Sequence, residues 1–210
     1  KFSNIFRYNS DRLFSIFTIS ALIGIIHSNS FVSIKKKVAQ NIGIRCAHTQ
    51  FEEATTESLI EYLESSEAKA FSGIIVQLPL PKHIETEKVL NSIPKEKDVD
   101  VLGQMEAEFL KVGSPLPPVV GAALESFTFF SLDISKHTFT IVGMGKLVGK
   151  PLYAYLKSKN AKVYTIDINT NTVDRQNYLK EATCIISGVG IPNLIKPEEI
   201  SDGVFLVDLG

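Results

Sequence analysis

The apolar positions change period several times along the chain, and each change marks an element. Leu13 to Ile26 is almost entirely apolar. It falls short of the about 20 residues that span a bilayer and predicts an interior strand near Ile19 to Ile26 with irregular flanks. From Ser30 to Ile42, the residues Phe31, Ile34, Val38 and Ile42 recur at helical spacing and form one apolar face. Thr56 is placed to cap a helix running to about Ala70, with Glu57 near its positive end and Leu59, Ile60 and Leu63 on the buried side. Ile74-Ile75-Val76 is continuous and β-branched, which suits a strand covered on both faces. Gln77 is the first polar group after it, and Pro79 and Pro81 lack the donors that a ladder needs, so the strand ends there. Glu85 to Ile93 predicts a short helix that Pro94 stops.

The second half repeats the alternation. A strand at Thr138 to Val142 runs into a glycine-rich turn and then a helix with Leu152, Tyr155 and Leu156 as its apolar positions. Further strands follow at Lys162 to Ile166, Cys184 to Ile186 and Val204 to Val207. Strand and helix alternating in this way predict the α/β class with parallel sheets. Gly113-Ser114-Pro115-Leu116-Pro117-Pro118 is the clearest break in composition. It divides the chain into two lobes, 1–118 and 119–210, with Gly121 to Phe130 as the linking helix. Lys1 to Arg12 has no clean period.

Composition narrows the function. Of 210 residues, 44% are hydrophobic and 21% charged, as in an ordinary soluble protein, and a net charge of -1 gives no reason to expect nucleic acid as a partner. Cys46 and Cys184 stand far apart and outside any short metal-ligand spacing, so no metal site is expected. They read as reduced, buried thiols of a cytoplasmic protein. No small-residue cleavage pattern follows the apolar run, and no membrane segment is expected. The chain opens at Lys1 and stops at Gly210 directly after an apolar run, which reads as a fragment of a longer gene product.

Candidate chemistry gathers at strand ends. Gln77 lies at the carboxyl end of a buried strand, where open α/β sheets form their ligand crevice. Lys35 sits one helical turn after Phe31; taken alone, Lys35-Lys36-Lys37 reads as a solvated basic face. Gly143-Met144-Gly145 and Gly149-Lys150-Pro151 form a turn between strand and helix in which a dinucleotide can approach the backbone, Gly149 allowing close helix–strand packing. Asp167 ends the next strand, 24 residues beyond Gly143. That is close to the offset of about 20 at which an acidic side chain accepts hydrogen bonds from an adenosine ribose. A carboxylate there attracts a free hydroxyl and repels a phosphate, and Met144 offers no positive charge, so NAD is expected in preference to NADP.

Four stretches, in this order and at these separations, resemble the methylenetetrahydrofolate dehydrogenase/methenyltetrahydrofolate cyclohydrolase family. They are Ser28 to Lys37, Val76-Gln77-Leu78-Pro79-Leu80-Pro81, Lys97-Asp98-Val99-Asp100 and Ile141 to Pro151. The likeness runs from about Leu22 to Gly210. It implies a folate-binding catalytic lobe followed by a Rossmann-type dinucleotide lobe, a homodimer, and hydride transfer from the one-carbon bridge of methylenetetrahydrofolate to a nicotinamide. Hydrolysis of the methenyl product to formyltetrahydrofolate would follow. It further implies that Phe31 stacks on the folate and that Lys35 moves the proton in ring opening. Gln77 orients Lys35 or the one-carbon unit between the substrate contacts Val76 and Leu78. Asp100 accepts hydrogen bonds from the pterin, and Gly190 lies near the nicotinamide.

Several positions depart from the family's pattern. Phe31 replaces a tyrosine, Val101 a glycine, and Leu116 and Pro117 a cysteine and a threonine, while Glu106 and Glu108 stand where asparagine and glycine are usual. The family's segment after Gly210, with a further cofactor contact and a substrate loop, does not follow. These departures suggest dehydrogenase activity with a weakened cyclohydrolase. They also leave open a non-catalytic paralogue that binds NAD or folate as a regulatory partner, and an unrelated two-lobed enzyme resembling shikimate dehydrogenase.

Overall fold

A computed structural model describes residues 15–21, 26–51, 53–103, 110–111 and 114–210, with the backbone alone for 15–21 and 26–31. The readings of Lys1 to Arg12, of Glu106, Glu108 and Gly113, and of the Phe31 ring lie outside this description. The chain divides into two compact units, Lys1–Gly103 and Gln104–Gly210.

The first unit is built on a parallel sheet of β1 (Ser15–Ala21), β2 (Arg45–Phe51) and β3 (Gly73–Val76), in the order β2-β1-β3. Helix α1 (Ile26–Asn41) connects β1 to β2, and α2 (Thr56–Glu64) with α3 (Ser66–Lys69) connects β2 to β3. All four residues of β3 are buried. Ile74 and Val76 join Leu59, Leu63, Val89 and Leu90 in one core, the last two from α4 (Thr86–Asn91).

Four expectations need correction here. The first strand is Ser15–Ala21 rather than Ile19 to Ile26, paired from Ser15↔Arg45 to Ala21↔Phe51. The apolar run is continuous from strand into helix, so hydrophobicity does not mark the boundary, and Ile26 already begins α1. That helix turns the anticipated apolar stripe outward: Ile34, Val38 and Ile42 are 60%, 53% and 52% exposed, while Val32 and Ala39 are buried. Lys35 lies between Val32 and Ala39 at the same three-and-four spacing, so this rotation carries it inward with them. Finally, the cap of α2 is Thr55, not Thr56. Thr55 Oγ1 accepts the Ser58 N–H at 3.1 Å, and Ser58 Oγ accepts the Thr55 N–H at 2.9 Å. Thr56 is buried and accepts the Glu85 N–H at 2.9 Å. The helix also stops at Glu64, because Ser65 turns extended and its hydroxyl caps α3 through the Ala68 N–H.

The second unit opens with α5 (Pro118–Phe129), which begins three residues before the expected Gly121 because Pro118 suits a first helical turn. Its parallel sheet runs β5-β4-β6-β7, from β4 (Thr138–Val142), β5 (Lys162–Ile166), β6 (Cys184–Ser187) and β7 (Phe205–Asp208). Helix α6 (Gly149–Ser158) joins β4 to β5, and α7 (Thr172–Glu181) joins β5 to β6. Alternate strand residues feed two cores. Phe139, Ile141, Cys184 and Ile186 pack with Leu152, Leu156 and α5's Val120, Ala123 and Phe127. Val142, Ile166 and Ile185 pack with Leu179 of α7. Burial pushes the Cys184 thiol up to about 12, whereas Cys46 is only half-buried.

Among the described residues no helix is long and apolar enough to cross a membrane. Removing the cap of α2 with Thr55→Ala is expected to cost about 1 kcal/mol. Urea unfolding should show it as a lower midpoint at unchanged slope.

Candidate functional site

In the first unit, the site is set by what happens at the edge of β3. Beyond Pro94 the chain returns alongside this strand: Ile74 and Asp98 form a parallel bridge, and the Val99 N–H donates to the Ile74 carbonyl at 3.3 Å. Gln77 follows β3 directly, ahead of a cis Leu78–Pro79 peptide. From the inward side of α1, Lys35 reaches both segments. Its Nζ donates to Gln77 Oε1 at 3.2 Å and lies 3.8 Å from Asp100 Oδ2. Gln77 Nε2 in turn donates to the Leu78 carbonyl at 2.8 Å, which fixes its amide with the oxygen toward the lysine.

Lys35 and Asp100 are both partly exposed, at 35% and 23% of their side chains, so they can meet a ligand. Burial raises Asp100 above the ordinary carboxylate range, and the nearby Lys35 charge opposes the rise. A positive donor, an oriented amide and a carboxylate within one hydrogen-bonding cluster can hold a polar heterocycle and move a proton. Val76 is buried in the core, which leaves its backbone for a ligand, and Leu78 packs half-buried against the same core.

The second unit brings its own residues to the carboxyl ends of β4, β5 and β6. Gly143 has φ +91, and its N–H donates to the Ile166 carbonyl at 2.8 Å. A Cβ on Gly149 would stand 2.0 Å from the Gly143 carbonyl oxygen, so α6 starts in backbone contact with the turn. Nothing lies within 4 Å of a Cβ built on Gly145, whose surroundings are open, while Met144 packs against the core. Beyond β6, Gly190 takes φ +63, and Gly210 crosses so near that its own Cβ would meet the Gly190 nitrogen at 2.3 Å. Open backbone beside a helix N-terminus, with a free turn at Gly145, fits a dinucleotide's phosphates.

Asp167 ends β5 in a tight turn. Its Oδ1 accepts the Asn169 N–H at 2.8 Å and the Thr170 hydroxyl at 3.3 Å, and its own N–H donates to Thr170 Oγ1 at 2.9 Å. Among the described residues no hydrogen bond reaches Oδ2, so one carboxylate oxygen remains for a ligand. Sequence reasoning did not assign Asn169 and Thr170, although Asp-x-Asn-Thr is the pattern of a self-bonded aspartate turn.

Comparison with known proteins covers both units. A family model described as the tetrahydrofolate dehydrogenase/cyclohydrolase catalytic domain matches residues 22–100, and one described as the NAD(P)-binding domain of the same family matches residues 117–210. The bifunctional protein FolD of Nautilia profundicola is 34% identical over 191 residues, which cover 87% of this chain and 65% of that protein. FolD of Mycoplasmopsis synoviae is 32% identical over 192 residues, 88% and 67% of the two chains. The chain thus spans about two thirds, or slightly less, of these relatives' length. The crystal structure of the Campylobacter jejuni FolD methylenetetrahydrofolate dehydrogenase/cyclohydrolase superposes with a TM-score of 0.83 at 26% identity, covering 94% of this chain and 71% of that one. The Trypanosoma brucei enzyme, solved with NADP cofactor and an inhibitor, gives 0.82 at 27% identity, covering 93% and 68%. A shikimate dehydrogenase from Thermus thermophilus shares the fold alone, at 10% identity and a TM-score of 0.55.

The raised Asp100 carboxyl has a consequence for stability. The folded protein keeps this proton at a pH where the unfolded chain, with a carboxyl at its ordinary 3.8, has released it. Stability therefore falls as pH rises from about 4 through the raised folded value, and is level above it. The stability of the parent minus that of Asp100→Asn should drop across this window in denaturant titrations. A difference that grows with pH would contradict the assignment.

Proposed function

The chain belongs to the tetrahydrofolate dehydrogenase/cyclohydrolase family, and we propose that it serves one-carbon folate metabolism by oxidising methylenetetrahydrofolate to methenyltetrahydrofolate with a nicotinamide dinucleotide. The observation that carries this reading is the meeting of Lys35 with Gln77 and Asp100 at the end of β3. These three side chains were expected to act together, and they are drawn from segments far apart in sequence.

Each has a role that its chemistry supports. Asp100, ionised, accepts two neighbouring N–H groups of the pterin side by side. Gln77, its amide set by the Leu78 carbonyl, holds Lys35 toward the one-carbon bridge. Lys35 donates to that bridge and moves the proton when water opens the methenyl ring. Phe31 supplies a ring for stacking without a phenolic hydroxyl, which favours the dehydrogenase over the cyclohydrolase step. Hydrophobic contact to the folate comes from Leu78.

In the second unit, Met144, Gly145 and Gly149 would hold the dinucleotide's phosphates through backbone amides, with Gly143, whose own N–H is held by Ile166, shaping the turn and Gly190 near the nicotinamide. When bound, the nicotinamide accepts the hydride. Asp167 has one carboxylate oxygen open to a ribose hydroxyl, and Met144 brings no cation for a ribose phosphate. NAD is therefore the preferred cofactor.

Oxidation of methylenetetrahydrofolate is expected to be faster with NAD than with NADP, and Asp167→Ala should reduce that preference about tenfold, the value of one charge-assisted hydrogen bond. Lys35→Ala is expected to lower ring opening by about 10²-fold or more. Preference for NADP, or preference unmoved by Asp167→Ala, would contradict the cofactor reading. Phe31→Tyr should raise the cyclohydrolase rate relative to the dehydrogenase rate; an unchanged ratio would argue that the lost hydroxyl is immaterial.

A further inference from the structure

Asp98 has no part in the reading so far, yet it is one of very few buried polar side chains among the described residues, at 6% exposure. Its Oδ2 accepts the Gly103 N–H at 2.8 Å; burial pushes its carboxyl above the ordinary carboxylate range, and the Gly103 N–H with the nearby backbone N–H groups of Val101 and Leu102 opposes that rise. The chain from Asp98 to Gly103 is thereby folded around one buried carboxyl group. Two features show that this fold is imposed rather than locally preferred. Val101 is β-branched and sits at φ +55, a left-handed conformation that such residues rarely adopt. Gly103 lies so close to α4 that a Cβ on it would stand 2.3 Å from the Leu90 carbonyl oxygen. Asp100 hangs between the bridge at Asp98 and the strained Val101.

We propose that Asp98 is a positioning residue for the pterin site: by tying down the Gly103 amide across the turn through Val101 and Leu102 it holds the strained loop that aims Asp100 at Lys35. This rests on the folate reading of Asp100. The Gly103 N–H bonded to the carboxyl group, with the amides of Val101 and Leu102 beside it, forms an anion nest in reverse, with the acceptor supplied by the chain itself. Val101 makes the arrangement more dependent on the carboxylate, because valine resists the turn that a glycine would take freely. Asp98 touches neither the substrate nor the reacting atoms; its effect passes through the position of Asp100.

The test is a double-mutant cycle read by tetrahydrofolate affinity on the full chain, at a temperature well below each variant's unfolding midpoint. Hydrogen exchange of the 101–103 amides is followed without ligand. Asp98→Ala is expected to weaken binding at least tenfold and to speed exchange of those amides. Val101→Gly, by removing the strain, should recover at least threefold of the loss in the Asp98→Ala background while changing the parent less than twofold. A residue that merely stabilised the core would show no such rescue. Binding unchanged by Asp98→Ala, faster exchange without weaker binding, or a loss that Val101→Gly leaves untouched would each overturn the inference. Asp98→Asn keeps one acceptor oxygen and decides the matter if the alanine variant does not fold: undiminished binding there also overturns it. Failure of the parent to bind tetrahydrofolate would sink the folate reading and this inference with it. Parent binding that survives Asp98→Ala sinks the inference alone.

Discussion

The parallel bridge between Ile74 and Asp98 is the contact on which the first unit's site depends. Strand β3 is four residues long and closes its sheet on one side, so its outer edge carries unpaired backbone groups. The returning segment supplies partners for them. Being parallel, it needs a crossover, and α4 provides one while burying Val89 and Leu90 under the strand. A polar residue directly after β3 and a carboxylate two residues past the bridge then come within reach of the same lysine.

The two units build their candidate sites from different materials. Around Lys35 the groups brought together are side chains, two of them oriented by hydrogen bonds: Gln77 by the Leu78 carbonyl, Lys35 by Gln77. At the carboxyl ends of β4 and β6 the building material is backbone. Gly143 and Gly149 touch there, as do Gly190 and Gly210, with no room for a β-carbon at Gly149 or Gly210. Side chains suit a ligand with a patterned edge of donors, such as a pterin; bare amides suit the uniform charge of phosphates.

Much of this was legible in the sequence, and the failures have physical reasons. The strands β3 to β6 and the glycine turn could be placed because proline, glycine and runs of β-branched residues punctuate them sharply. Gln77 stood out locally, as the first polar group after a buried strand, whereas Lys35 and Asp100 could be named only through family resemblance, since nothing local in Lys35-Lys36-Lys37 separates one lysine from its neighbours. The rotation of α1 was misjudged because its larger apolar residues, Ile34, Val38 and Ile42, are the exposed ones. Only the sheet beneath decides that Val32 and Ala39 face inward. Thr55 and Thr56 are adjacent and chemically alike, and a capping partner three residues on, Ser58 rather than an acid, gave little warning. Val101 stood out in the sequence as a replaced glycine, and its positive φ explains why glycine is usual there.

The central claim is that Lys35, Gln77 and Asp100 form one folate-binding cluster. It is tested most directly by nuclear magnetic resonance of the isotope-labelled full chain titrated with tetrahydrofolate. The account predicts saturable shifts concentrated at Lys35, Gln77, Leu78 and the segment Val99 to Val101, with the Gln77 side-chain amide among the largest. Saturable shifts that bypass these residues, or no binding at any attainable concentration, would contradict it.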